Sequence, residues 1–204
     1  MEPRCAERGS RVVEDRPPAE EAELVSRARR GDVAAFESLV AAHQEMAFRT
    51  AFLVLRDAAE AEDAAQEAFV KAYRALDRFR DDAPFRPWLL RIAANEARNR
   101  RRSGGRRRAL QLRVEATISR DASVQSAEAT ALASEGRRRL LDAVNALSDD
   151  DRLVIGARYF LDLSEAEIAT LAGVARGTVK SRLSRARARL AQRLATESEG
   201  WTDD

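Results

Sequence analysis

Residues 163–194 read LSEAEIATLAGVARGTVKSRLSRARARLAQRL, and this stretch decides how the chain folds. It marks its own boundaries. Ser164 precedes Glu167 by three residues, the spacing of a capping box, in which a hydroxyl and a carboxylate reciprocally satisfy free amides at a helix start. Ile168, Leu171 and Ala172 then make a short apolar stripe. Gly173 permits a sharp turn, because a residue without Cβ takes positive φ at no steric cost. A second helix is expected from about Arg176. Val179, Leu183, Ala186 and Leu190 recur at helical spacing and should pack inward. Lys180, Ser181, Ser184 and Arg185 fall on the opposite face, with Arg182, Arg187 and Arg189 on its flanks. Two short helices, a glycine turn and a basic second helix describe a helix-turn-helix. Its second helix would enter the major groove, reading base edges while flanking arginines hold phosphates. A solvated arginine-rich terminal helix is the plainer alternative. The capping box, the turn glycine and the segregated apolar face together favour DNA binding.

The rest of the composition narrows the function. The chain has 204 residues, enough for one or two domains, and a net charge of only +2 although 34% of residues are charged. The position of the charges therefore matters more than their sum. Lysine occurs only at Lys71 and Lys180, so arginine carries nearly all the positive charge; with the abundant alanine this composition suggests a GC-rich genome. Cys5 is the sole cysteine and His43 the sole histidine, which excludes an internal disulfide and a Cys/His zinc site. His43 sits in an apolar helical pattern and reads as a surface or packing residue rather than a catalyst. There is no apolar run near 18 residues and no secretory segment, so a soluble, cytoplasmic protein is expected. No phosphate loop or nucleophile constellation appears, and neither a cofactor nor a small-molecule substrate is implied.

Upstream of residue 163 the pattern is helical throughout. Residues 1–18 are polar and aperiodic and read as a disordered tail. A first helix is expected over Glu20 to Arg30, ended by Gly31, and Asp32 can cap a second helix from Val33 to about Leu55. Phe36, Leu39, Val40, His43, Ala47 and Thr50 line one side of it. A third helix, about Ala59 to Leu76, would bury Ala61, Ala65, Ala68, Phe69, Ala72, Tyr73 and Leu76. Its first half is acidic, with Glu60, Glu62, Asp63 and Glu67; by composition alone this suits the helix dipole and needs no partner. A loop over 77–84 leads to a fourth helix with Pro87 near its start. Leu89, Ile92, Ala93 and Ala97 should face inward. Arg91, Asn95, Arg98 and Arg102 line up on another face, basic with one amide in it. Core packing is the expected role of Trp88, while Phe85 admits either packing or a place beside that basic face. Residues 98–108 hold seven arginines interrupted by Ser103, Gly104 and Gly105, where helix order should fail. The expected organisation is an N-terminal helical domain over 19–102, a linker over 103–134, a second helical domain over 135–195 and a tail over 196–204. The second domain should contain a helix to Leu147 and then a further capping box, Ser148 with Asp151. The fold class is all-α.

Taken together, DAAEAEDAAQEAFVKAYRALDRFR (57–80), PFRPWLLRIAANEARNRRR (84–102) and LSDDDRLVIGARYFLDLSEAEIATLAGVARGTVKSRLSRARARL (147–190) resemble the bacterial sigma factors of the sigma-70 family, in its small extracytoplasmic-function group. The resemblance covers about Ala22 to Leu194 without the linker, and two motif blocks stand in the family's order. It implies a promoter-specificity subunit, not an enzyme. Asp63, Gln66 and Glu67 would dock on the clamp helices of the largest subunit of core RNA polymerase, which reassigns the acidic helix from dipole matching to partner binding. Asn95 would read a base of the −10 element, an amide being able both to donate to and accept from a base edge. Arg91, Arg98 and Arg102 would hold phosphates. Lys180, Ser181, Ser184 and Arg185 would face −35 duplex DNA. An anti-sigma factor is an implied partner.

Three rivals remain on the residues alone. The sequence from Ser164 also resembles the DNA-binding domains of response regulators, so a dimeric helix-turn-helix regulator is the first, although such a protein has no need of the Asp63–Glu67 helix. A purely protein-binding adaptor is the second, and the basic face of the fourth helix argues against it. An enzyme acting on nucleic acid is the third and lacks acidic metal-ligand clusters near that face.

Overall fold

The computed structural model describes residues 19–80, 83–111 and 131–199. Within them lie eight α-helices and no strand, so the fold is all-α. In chain order they are α1 (Ala19–Arg29), α2 (Val33–Leu55), α3 (Ala58–Ala75), α4 (Phe85–Gln111), α5 (Ala131–Asn145), α6 (Asp149–Tyr159), α7 (Glu165–Ala172) and α8 (Arg176–Glu199), with a 3-10 turn at Leu76–Arg78 after α3. The expected tails at 1–18 and 200–204 and the 112–130 part of the expected linker lie outside the described residues.

Local chemistry sets the helix starts. Asp32 accepts from the Ala35 amide at 3.0 Å and Asp57 from the Glu60 amide at 2.9 Å, each satisfying a donor that a helix start leaves free. Pro87 sits in the first turn of α4, where its missing amide has no partner to lose. At α7 the expected capping box is complete. The Glu167 amide donates to Ser164 Oγ at 3.2 Å, and the Ser164 amide donates to Glu167 Oε2 at 2.8 Å. Gly173 closes α7 at φ +68°. At α6 only half of the expected box forms. Ser148 Oγ accepts from the Asp151 amide at 3.3 Å, but the Asp151 carboxylate pairs with Arg189 instead. Aspartate is a methylene shorter than the glutamate that this motif uses to reach back.

Helices α1 to α4 form an N-terminal unit in which α2, α3 and α4 pack on one another. Ala61, Ala64, Ala68 and Ala72 of α3 are fully buried, and their small side chains let α2 and α4 approach closely. Leu39, Leu76, Phe85, Leu89 and Leu90 fill the space between. His43 is buried as well. Its Nε2 lies 2.9 Å from Glu21 Oε1 and its ring 5.6 Å from Phe85, so it ties α1 to α2 as a packing residue. Phe85 belongs to the core, and Trp88 is half-buried with its ring 4.8 Å from Phe79. Tyr73, expected in the buried stripe, is exposed and packs edge-on against Phe36.

Helix α4 continues nine residues past Arg102 instead of failing in the arginine–glycine segment. Each glycine costs about 1 kcal/mol in a helix interior, but arginine is a good helix former. The packed turns upstream also supply the nucleus, so only propagation is needed. Similarly, α5 starts at Ala131 and α8 runs to Glu199, each about four residues beyond the expected limits.

The C-terminal unit, α5 to α8, is built around α6, of which every residue from Asp151 to Ala157 is buried. Ile168 and Leu171 of α7 and Val179, Leu183 and Ala186 of α8 complete its core, as their spacing predicted. The two units touch along α4 against α7 and α2 against α6.

Candidate nucleic-acid interface

The basic face of α4 exists as the spacing predicted. Arg91 and Asn95 are exposed, and Asn95 Oδ1 accepts from Arg98 Nη1 at 3.2 Å. Arg98 is only about one-fifth exposed. Its Nη2 lies 3.6 Å from Asp150 of α6, and Arg102 lines the same cleft with Ser148 and Asp149. Arg91 reaches toward the helix-turn-helix. A Cβ placed on Gly173 would lie 3.4 Å from its Nη2. The four residues therefore share one face of α4, and the C-terminal unit approaches it at Arg91, Arg98 and Arg102 while Asn95 stays exposed.

The face of α8 is open by contrast. Lys180, Ser181, Ser184 and Arg185 are all exposed, while Val179 and Ala186 on the other side are fully buried. Ser181 Oγ donates to the Thr178 carbonyl at 3.0 Å, and Arg185 Nε donates to the Ser181 carbonyl at 3.3 Å. Both side chains thus bond back to the backbone of their own helix. On α3, Asp63 and Gln66 are exposed and Glu67 is half-buried. Arg100 bridges Glu60 at 3.4 Å and Asp63 at 3.2 Å; Glu67 lies 3.9 Å from Lys71. Gln66 borders a groove between α2 and α3 lined by Val40, Phe48 and Phe69.

An ionic network that sequence reading missed joins the two units. Arg86 of α4 pairs with Glu167, the same carboxylate that closes the α7 cap. Arg101 pairs with Asp149, and Asp150 also faces Arg182 of α8 at 3.3 Å. Burial by itself would raise the Glu167 carboxyl, but the Ser164 amide and the Arg86 guanidinium outweigh it and hold it below its ordinary value. Asp149 behaves alike, with Arg101 and Arg152 outweighing burial. Arg152 is 2% exposed. It donates to the carbonyls of Leu147 at 3.0 Å and Asn145 at 3.2 Å within its unit, and to Leu53 at 2.6 Å across the interface. One guanidinium thereby satisfies carbonyls at the C-terminal ends of both α2 and α5. The sequence carried a signal for it, an arginine immediately before the apolar run LVIGA, preceded by three aspartates.

Two family models match the chain, Sigma-70 region 2 over residues 39–107 and Sigma-70 region 4 over residues 137–190. The chain is 38% identical over 175 residues to the RNA polymerase sigma-H factor of Pseudomonas aeruginosa, covering 81% of this chain and 89% of that protein. It is also 38% identical over 172 residues to the ECF RNA polymerase sigma-E factor of Escherichia coli K12, covering 80% and 88%. Among solved structures, CnrH in complex with the cytosolic domain of CnrY matches with a TM-score of 0.65 at 28% identity, over 87% of this chain and 98% of that one. The sigma factor RpoE bound to the anti-sigma factor NepR of Bartonella quintana matches at 0.60 and 28%, over 78% and 96%. These likenesses span both units, which a free-standing dimeric regulator sharing only the helix-turn-helix does not explain. Sigma factors are initiation factors and not catalysts. The chain is a bacterial RNA polymerase sigma factor of the sigma-70 family, in the extracytoplasmic-function group.

Proposed function

We propose that this sigma factor divides its work between the two helical units as the sequence blocks suggest. The N-terminal unit docks core RNA polymerase through Asp63, Gln66 and Glu67 and reads the −10 element through α4. Asn95 contacts a base there, and Arg91, Arg98 and Arg102 hold the backbone. A base out of the stack needs only compensation for lost stacking, which polar contacts and aromatic or guanidinium faces provide. The C-terminal unit places α8 in the −35 major groove, with Lys180, Ser181, Ser184 and Arg185 toward the DNA. The observation that carries this reading is the segregation of α8, four exposed polar residues opposite a fully buried Val179 and Ala186.

Each unit alone offers DNA a small surface. Core polymerase fixes their spacing and raises the effective concentration of the second contact. An anti-sigma factor is a further expected partner, supported by the RpoE structure, whose sigma factor is bound to one. The site of action is the bacterial cytoplasm, in keeping with the lack, among the described residues, of any helix long and apolar enough to cross a membrane.

The test is transcription from a randomised promoter library with bacterial core polymerase, with and without this protein. Protein-dependent transcripts sharing −35 and −10 elements are expected. DNA binding by the protein alone with no such transcripts would overturn the assignment.

A further inference from the structure

Two cations, Arg100 and Lys71, tie the acidic face of α3 to α4. Arg100 lies two residues past Arg98, about 200° farther round a helix of 3.6 residues per turn, so it points away from the basic face of α4 and toward α3. Its Nη1 stands 3.4 Å from Glu60 Oε2 and 3.2 Å from Asp63 Oδ2, so one nitrogen spans both carboxylates. One turn earlier on the same side of α4, Glu96 pairs with Lys71, which in turn lies 3.9 Å from Glu67. The acidic row Glu60, Asp63 and Glu67 is thereby held at both ends from the neighbouring helix.

Left to themselves these carboxylates would not stay in a row. Glu60 and Asp63 are three residues apart and Asp63 and Glu67 four, spacings at which like charges repel on a helix surface. The side chains of Glu60 and Asp63 are more than half exposed, so in water each is free to turn from the other. Two features distinguish Arg100 from a chance surface pair. Its Nε is buried and has no hydrogen-bond partner. A guanidinium free to choose would turn that donor to water, because a buried unpaired donor is costly; here the pull of two carboxylates wins. Arg100 also takes only one oxygen from each carboxylate. Each carboxylate accepts at both of its oxygens, so these bonds leave Glu60 Oε1 and Asp63 Oδ1 for a cation arriving from outside.

We propose that Arg100 is a positioning residue for polymerase docking, gathering Glu60 and Asp63 into one anionic cradle that receives an arginine or lysine of the clamp helices. Glu60, which the resemblance does not name, thereby joins Asp63 in the docking set. The inference rests on the assignment of Asp63 to docking. Charge alone predicts the opposite sign. Removing a cation beside an acidic face makes that face more negative and strengthens its long-range pull on a basic partner. Weaker docking without Arg100 therefore reports position and not charge.

The experiment is competition of the full-length variants with labelled parent protein for bacterial core RNA polymerase. Arg100→Met, which keeps the apolar stem and loses the charge, should weaken binding several-fold. Arg100→Lys should recover most of that loss, because a single nitrogen does the bridging. The Glu60→Gln/Asp63→Asn protein should itself bind core more weakly than the parent, and adding Arg100→Met to it should change nothing further, the non-additivity of groups that act as one. Parent-like or tighter binding by Arg100→Met, or no recovery by Arg100→Lys, would overturn the inference. So would an equal loss from Arg100→Met with and without the two carboxylates, which is what damage to the packing of α3 on α4 would give. If the Glu60→Gln/Asp63→Asn protein binds core as the parent does, the docking assignment is what fails, and the role of Arg100 in docking fails with it.

Discussion

Arg152 donates through Nε to the Leu53 carbonyl at 2.6 Å, joining a fully buried guanidinium of α6 to the last turn of α2 in the other unit. The same side chain donates to Asn145 and Leu147 and pairs with Asp149 at 2.7 Å. Burial pushes its pKa down and the nearby Arg56 adds to this, while Asp149 opposes both. Arginine nonetheless stays charged in proteins, and this one is compensated on every side.

Arg152→Met keeps much of the volume and removes the donors. The Leu53 and Leu147 carbonyls lose their donor, while the Asn145 carbonyl keeps Arg56 Nη1 at 3.2 Å, and each buried unpaired group costs about 1–3 kcal/mol. Since the Leu147 carbonyl lies within the C-terminal unit, the loss should appear in the stability of that unit and not only in the contact between the units. A drop of about 3 kcal/mol is expected by urea denaturation. Arg152→Lys should recover little, because one ammonium does not reproduce the planar fork. A midpoint unchanged in both variants would remove the capping role.

Glu167 carries a pH prediction. Its folded pKa lies below the ordinary value, so its contribution is fully present above the unfolded pKa and is lost as pH falls through the folded one. Glu167→Gln preserves the capping box, since glutamine serves at that position, but it loses the charge facing Arg86. The parent should therefore be more stable than the variant at neutral pH, and the gap should close as pH drops below about 4. Denaturant midpoints measured from pH 7 to pH 3 check this. A gap that widens in acid would contradict the sign.

Asn95→Ala tests the −10 assignment. The Asn95 side chain is exposed and orders only Arg98 in the protein, so the fold should tolerate its loss within about 0.5 kcal/mol. Base preference across a −10 library should change while binding to core polymerase stays the same. An unaltered preference would show that the amide reads nothing.

Much of this was legible in the sequence because it is local. The Ser164–Glu167 box, the Gly173 turn and the inward row of Val179, Leu183 and Ala186 follow from spacing alone, and the structure has them as expected. The alignment of Arg91, Asn95, Arg98 and Arg102 on one face is equally a matter of helical period. What the sequence did not yield depends on partners distant along the chain. Asp151 looked like the second half of a cap, but Arg189 claims its carboxylate, 38 residues away. Arg86 looked like one more surface arginine, yet it meets Glu167, 81 residues on. The long α4 was missed for a different reason, because two glycines were weighed as breakers without the packed turns that precede them.

Glu67→Lys tests polymerase docking. Glu67 is half-buried and lies 3.9 Å from Lys71 one turn later. Reversal replaces an attractive i,i+4 pair with a repulsive one, a cost of about 0.5–1 kcal/mol from the change of sign. That is too little to unfold α3. Competition with the parent protein for core polymerase should nevertheless weaken several-fold, and circular dichroism should be unchanged. Equal competition would place docking elsewhere on the N-terminal unit.

Gly156→Ala sets two effects of opposite sign against each other. Glycine inside α6 costs about 1 kcal/mol relative to alanine, so the substitution should stabilise the C-terminal unit by itself. A Cβ at this position would clash with Leu53 Cδ1 and lie 3.0 Å from Cγ, which the side chain across the interface does not absorb without moving. The lost packing falls on the contact between α2 and α6 and the gained propensity on the helix. The variant should therefore resist urea at least as well as the parent while its hydrodynamic radius grows, and at low salt the two proteins should differ most. If the radius stays that of the parent, Leu53 has another place to go and the contact between α2 and α6 is not what holds the units together.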